Sequence, residues 1–264
     1  QCFHGMTESI LLNTCVHLQN DSVKLLTIRD CKLTFSQLKS ILRNVGQAKS
    51  LLYLSLNIGI ITNERRIDLL CRTIKTNRSL LALLIHGNNI GDTGMNKIAK
   101  ILLHHPTIVC LDVGDCNLGD ESVEAICDLL PPHGKKSGLI ELTMSSNRRI
   151  TEHGWIKLSV SMAASSCLQE LYLDYNTIGD LAATSVLVGL ASHRHLQVLD
   201  LEGTCITDRF AEVIKNNQFR QLKGNNSYKE SSYNFDTMEC FVELSMLMKA
   251  GLFSFPVSVI LFEL

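Results

Sequence analysis

The sequence predicts an α/β solenoid: a horseshoe of stacked strand-helix units, with a parallel β-sheet on the concave face and helices on the convex face. Three observations predict it. The pattern L-x-x-L-x-L-x-x-[NCTG]-x-[LI] occurs seven times, starting at Val23, Leu51, Leu80, Ile108, Leu139, Leu168 and Leu196. The starts are 28, 29, 28, 31, 29 and 28 residues apart, and a fixed period of this size marks a stacked repeat array. Each match is followed by apolar residues at helical spacing, so every unit supplies one strand and one helix. A strand that short cannot bury its aliphatic side chains alone, and stacking the units is what gives them a common core.

The strand halves are VKLLTIRDCKL, LLYLSLNIGII, LLALLIHGNNI, IVCLDVGDCNL, LIELTMSSNRRI, LQELYLDYNTI and LQVLDLEGTCI. After each comes a Thr or Gly at 34, 62, 91, 119, 151, 179 and 207, all acceptable helix N-caps. An acid often follows, at Asp92, Asp120, Glu152, Asp180 and Asp208, where it is expected to meet the positive end of its own helix dipole. The stripes Leu38/Ile41/Leu42/Val45, Ile67/Leu70/Cys71/Ile74, Val123/Ile126/Cys127/Leu130 and Ala183/Val186/Leu187/Leu190 then each lie on one helix face. A helix over about Thr7 to Gln19 is expected to cap the array. The chain therefore divides into a capping region (1–22), seven repeats (23–219) and a divergent tail (220–264).

The tail drops the Leu framework at GNNSYKESSYNFDT and ends in MLMKAGLFSFPVSVILFEL. Lys249 and Pro256 interrupt that apolar run, leaving it shorter than the roughly 18 to 20 residues of a membrane span. A poorly ordered end or an irregular apolar cap is expected there, and membrane association is not. The start at Gln1 suggests a missing N-terminal piece, and no signal peptide opens the chain.

The 28/29-residue unit with NxIGDxG-like helix starts resembles the ribonuclease-inhibitor-like leucine-rich repeats, the type also found in NOD-like receptors and the Ran GTPase-activating protein. RTIKTNRSL, LDVGDCNLGDE, LLPPHGKKSGLIEL, ITEHGW, LDYNTIGD and LDLEGT, in this order, are similar to one small intracellular member of that family. The resemblance implies a fold and a habit of binding proteins, not a reaction. Regulation of a small GTPase, or service as a sensor-type repeat module, are the alternative functions it suggests.

Composition agrees with a non-enzymatic, cytoplasmic scaffold. Lys plus Arg is 25 against 26 Asp plus Glu, so no net charge points to nucleic acid or membrane. Ten cysteines are scattered singly without CxxC pairs, as expected of free thiols in a reducing compartment. No cofactor or metal is expected. The cluster Asp112, Asp115, Asp120 and Glu121 around Cys116 suggests a metal cage, but the repeat register dissolves it. Cys116 is equivalent to Asn88, Asn147, Asn176 and Thr204, a position whose side chain turns inward to bond the turn backbone. His104-His105 and His193-Arg194-His195 fall at helix-to-strand turns and are expected to be solvated. Gly134-Lys135-Lys136-Ser137 precedes a strand rather than a helix, so it is no phosphate loop. Trp155 falls on a helix stripe and is expected in the core.

The candidate binding surface is the concave face, formed by the third, fifth, seventh and eighth positions of each unit. Repeats one to three present mixed side chains there: Leu25/Thr27/Arg29, Tyr53/Ser55/Asn57 and Ala82/Leu84/His86. Repeats four to seven present seven acids, Asp112, Asp115, Glu141, Glu170, Asp174, Asp200 and Glu202, with Tyr172 and Tyr175 among them. Stacked strands would align these acids as a continuous, solvated ladder. That ladder suits a basic protein partner with the tyrosines as anchors, and it would repel nucleic acid.

Overall fold

The computed structural model describes residues 6–131, 138–192, 195–207 and 259–262. In chain order the elements are α1 (Glu8–Gln19), β1 (Leu25–Arg29), α2 (Phe35–Gln47), β2 (Tyr53–Asn57), α3 (Glu64–Thr76), β3 (Ala82–Leu84), α4 (Gly91–Leu102), β4 (Cys110–Asp112), α5 (Asp120–Cys127), β5 (Glu141–Thr143), α6 (Glu152–Ala164), β6 (Glu170–Tyr172), α7 (Gly179–Ser192), β7 (Val198–Asp200) and β8 (Val259–Phe262). The strands form one sheet in the order β7-β6-β5-β4-β3-β2-β1-β8. Each pair is parallel, with the repeats in strict register: Leu26, Leu54, Leu83, Leu111, Leu142, Leu171 and Leu199 fall in one row.

That row points inward, and each of its leucines is 0–1% exposed. The sixth positions (Ile28, Leu56, Ile85, Val113, Met144, Leu173 and Leu201) form the next buried row. Helix stripes close the layer from the other side: Leu38, Ile41, Leu42 and Val45 from α2, and Ile67, Leu70, Cys71 and Ile74 from α3. Trp155 of α6 joins them at 1% exposure. The core is thus a stack of aliphatic layers in which each repeat closes its neighbour's, which is why aromatic side chains are few.

The turn leaving each strand has one backbone solution. The eighth residue of every unit (Asp30, Ile58, Gly87, Asp115, Ser146, Tyr175 and Gly203) has φ between +45° and +69°. This left-handed residue swings the chain from the sheet toward the helix layer, and its amide donates to the seventh carbonyl of the next unit. The bonds are Ile58 to His86 (2.8 Å), Gly87 to Gly114 (2.9 Å), Asp115 to Ser145 (2.8 Å), Ser146 to Asp174 (3.0 Å) and Tyr175 to Glu202 (2.7 Å). The ninth side chain ties the same turn from within. Asn147 Nδ2 donates to the carbonyls of Val113 (2.9 Å) and Met144 (3.0 Å), while its Oδ1 accepts from the amides of Cys116 (3.1 Å) and Leu118 (3.0 Å). Asn88 and Asn176 repeat the pattern, and Cys116 manages only a thiol bond to the Ile85 carbonyl.

The helix starts differ from the sequence expectation. Thr34 caps α2 within a capping box, but Asn63 rather than Thr62 caps α3, and Gly91 and Gly179 are already the first helical residues. The acids do not serve only their own helices either. Asp92 accepts from the Gly119 amide (2.7 Å), Asp120 from that of Thr151 (2.8 Å) and Asp180 from that of Thr207 (3.0 Å), so each reaches the start of the following unit. A unit's own first turn points its carboxylate along the stack, where the neighbour's orphan N–H groups lie within bonding reach.

Two further expectations meet the structure. His104 is exposed, but His105 is 4% exposed, with Nε2 3.0 Å from the Asn77 carbonyl and Nδ1 accepting from the Ile108 amide at 3.2 Å. It occupies the place of Asn77, which organises the preceding turn in the same way, so it is a structural residue and not a solvated one. The eight cysteines among the described residues are free thiols, four of them buried. The tail expected over 220–264 lies outside the described residues except for β8, which runs parallel beside β1. The Gly134–Ser137 segment and the pair His193-Arg194 also lie outside them.

Candidate protein-interaction surface

The third and fifth positions of the strands leave the sheet on the side opposite the helices, as the alternation of strand side chains requires. The register resolves the acids into a staggered patch instead of one ladder. Across β4 to β7 the third-position row reads Cys110, Glu141, Glu170, Val198, and the fifth reads Asp112, Thr143, Tyr172, Asp200. The seventh positions, at the carboxyl ends of the strands, are Gly114, Ser145, Asp174 and Glu202.

These acids are not equally accessible, which corrects the expectation of a solvated ladder. Glu141, Glu170 and Asp200 are only 4%, 6% and 8% exposed. Asp115 is exposed, and Asp112, Asp174, Glu202, Tyr172 and Tyr175 are half-buried. The accessible carboxylates therefore gather along the carboxyl-end rim, and the buried ones lie on the strands behind it. The Tyr172 hydroxyl donates to Glu170 Oε2 at 3.1 Å. Burial pushes the Tyr172 phenol well above its ordinary range, helped by Glu141 and Asp200. Burial does the same to the Cys110 thiol, which also faces Glu141 and Asp112.

At the rim, Asp115 and Tyr175 owe their places to the left-handed turn, a conformation that Asp adopts more readily than most residues. The Tyr175 hydroxyl donates to Glu202 Oε1 at 3.0 Å. Asp174 accepts from the Ser145 hydroxyl of the preceding repeat. Burial raises the Asp174 carboxyl above its usual range, the Ser145 bond opposes this, and the charges of Glu202 and Asp112 add to the rise. Asp174 is thus a half-buried carboxylate set among other carboxylates.

One neighbour of the patch was missed from sequence. His86, assigned to the mixed half of the sheet, has Nδ1 3.6 Å from Asp112 Oδ1. Its ring lies over Gly114, where an added Cβ would meet Nδ1 at 2.4 Å. Burial disfavours the charged ring, but Asp112, Asp115 and Asp174 outweigh it and raise its pKa above the ordinary value. The signal was present in the alignment of seventh positions, where a histidine stands beside a glycine with room for it.

No group of three His, Cys, Asp or Glu residues is arranged to hold a metal ion among the described residues. Likewise, no described helix is long and apolar enough to cross a membrane.

The family described as Leucine Rich repeat matches residues 76–99, 104–127, 164–187 and 192–209, and each of these segments contains one strand of the sheet, β3, β4, β6 and β7 in turn. The stacked units are leucine-rich repeats. Over 200 residues it is 44% identical to leucine-rich repeat-containing protein 73 from Rattus norvegicus and from Homo sapiens, covering 76% of this chain. The chain spans 63% of the length of those relatives. It is also 28% identical over 139 residues to the ribonuclease inhibitor of Mus musculus, covering 52% of this chain and 30% of the inhibitor. Leucine-rich repeat proteins are in general non-catalytic modules for binding other proteins, and this chain has that architecture.

Proposed function

We propose that this leucine-rich repeat protein is a non-catalytic, cytosolic interaction scaffold that takes a basic protein segment on the carboxyl-end rim of its concave sheet. The observation that carries this reading is the contrast between two sets of acids. On the helix side, Glu64 and Asp68 both bind Lys97 (2.8 Å each), Glu124 binds Lys157, and Asp92 meets Arg149 at 3.2 Å. On the rim, among the described residues, Asp115, Asp174 and Glu202 have no Lys or Arg partner. Burial, with the charges of Glu202 and Asp112 adding to it, holds the Asp174 carboxyl high, and a cation brought by a partner would offset both. Tyr172 and Tyr175 stand beside it as half-buried apolar bodies with polar tips, the type of side chain that anchors interfaces.

The test is fluorescence anisotropy of a labelled Lys/Arg-rich peptide against wild type and the Asp174→Asn, Glu202→Gln double variant. Both changes preserve size and remove charge. The variant is expected to bind about tenfold more weakly, with a flatter salt dependence, as for the loss of rim charges. Equal affinity at matched folding would sink the proposal. Lys at Asp200 would be a poor probe, since that side chain is buried and its reversal would disturb folding. Regulation of a small GTPase has no comparable support from the arrangement of side chains, and a GTP-hydrolysis assay across a GTPase panel reads it separately.

A further inference from the structure

The near-zero net charge conceals a strong polarity along the stack. Residues 23–107 hold thirteen Lys and Arg against four Asp and Glu, and residues 108–207 hold six against thirteen. The basic excess is concentrated on the outer face of α2, α3 and α4, where Lys39, Arg43, Arg65, Arg72, Lys75 and Lys100 are all exposed. Among the described residues, none of the six forms an ion pair. α2 contains no acid at all. Glu64 and Asp68 of α3 are both taken by Lys97, and Asp92 of α4 by Arg149, Ser122 and the Gly119 amide. The face therefore holds positive charge with no carboxylate left to answer it.

The positions are also regular. Arg43, Arg72 and Lys100 each directly follow the corresponding buried stripe residue, Leu42, Cys71 and Ala99, so the stacking places them in one row. Asp128 just past the end of α5, and Val160 and Val188 on α6 and α7, continue that row, where it ceases to be basic. Neighbouring packed helices lie about 8–10 Å apart, and three residues of extended chain span about 10 Å. An extended segment crossing the helices with an acid at every third residue would meet each basic side chain in turn.

We propose that the outer face of α2–α4 is a docking surface for an extended acidic protein segment. Charge complementarity and spacing favour this occupant over others. Each strand of a DNA duplex carries a phosphate per about 3.4 Å of helix axis, denser than the row, and sequence-tolerant binding of single strands uses aromatic platforms. The one exposed aromatic on these helices among the described residues is Phe35, at the very start of α2. A lipid surface calls for apolar side chains among the basic ones, yet Phe35 and Leu103 sit at opposite ends of the patch.

The experiment is anisotropy at low salt with the full chain and four probes: a 15-residue peptide with Glu at every third position, a peptide of the same composition with the Glu residues clustered, a single-stranded oligonucleotide, and vesicles containing phosphatidylserine. The spaced peptide is expected to bind best. The Arg43→Glu, Arg72→Glu, Lys100→Glu variant should lose at least about tenfold in affinity. The milder Arg72→Gln, Lys100→Gln pair should move the same way with unchanged circular dichroism, and the rim variant Asp174→Asn, Glu202→Gln should not move at all. Absence of peptide binding, equal affinity for the clustered peptide, tighter binding of the oligonucleotide or vesicles, or indifference to the charge changes would each overturn the proposal.

Discussion

Replacing Asn147 with Ala tests how the turns are held. Asn147 is fully buried and bonds backbone groups of its own and the preceding repeat. The substitution leaves the amides of Cys116 and Leu118 in the core without the side-chain acceptor that both share. Each buried N–H stranded this way costs about 1–3 kcal/mol. Met144's carbonyl keeps a donor in Asn176 Nδ2 at 3.0 Å, so it adds little, but Val113's loses its bond to Asn147. With the small cavity, the expected loss is about 3–5 kcal/mol, a large part of the roughly 5–15 kcal/mol that stabilises a typical domain. Urea unfolding followed by circular dichroism measures it. Asn89→Ala is the control, since it removes one exposed side-chain bond to Asn117 and should cost within about 0.5 kcal/mol. A loss below about 1 kcal/mol for Asn147→Ala would refute the view that ninth-position amides carry the turns.

Asp92→Ala should cost about 1–2 kcal/mol, because it uncaps α5 in the next repeat and releases Arg149. Burial raises the Asp92 carboxyl, but bonds from Ser122 and Gly119 and the charge of Arg149 bring it below its ordinary value. Its contribution should therefore be present at neutral pH and fade as pH falls below the usual carboxylate range, which urea melts at several pH values would reveal. Asp174 has the opposite sign: its raised carboxyl means that ionisation favours the unfolded chain. Asp174→Asn should thus raise the melting temperature at pH 7, and the gain should vanish under acid conditions where Asp is protonated in both states. Ile58 is a β-branched residue at φ +50° and is 37% exposed. Ile58→Asn should stabilise the protein by about 1 kcal/mol in urea unfolding, because Asn adopts the left-handed region at lower cost.

The repeat pattern made the fold legible because it carries two periodicities at once. Leu26 to Leu199 at the fourth positions had to share one face of a sheet, and stripes such as Leu38/Ile41/Leu42/Val45 had to share one face of a helix. The ninth-position role of Asn88 and Asn147 could be read in the same way, since a buried amide must bond something and only the turn backbone is near. The side of the sheet on which the strand acids stand was legible, but their exposure was not. Nothing in ELTMSS, LYLDYN or LDLEGT says that Glu141 and Asp200 are buried whereas Asp174 and Glu202 reach the rim.

What the sequence by itself determined was local or periodic: the strand-helix order, the inward rows, and the absence of a repeat-independent reason for LDVGDCNLGDE. What the tertiary structure decided was which groups meet across units. Examples are Asp92 with Gly119, His105 with Asn77, His86 with Asp112 over Gly114, and the row of Arg43, Arg72 and Lys100. These partners are one or two repeats apart, so their meeting depends on the stacking register and on the small offsets at which each helix begins. A periodic pattern specifies that neighbours align; only the packed layers specify which atoms then touch.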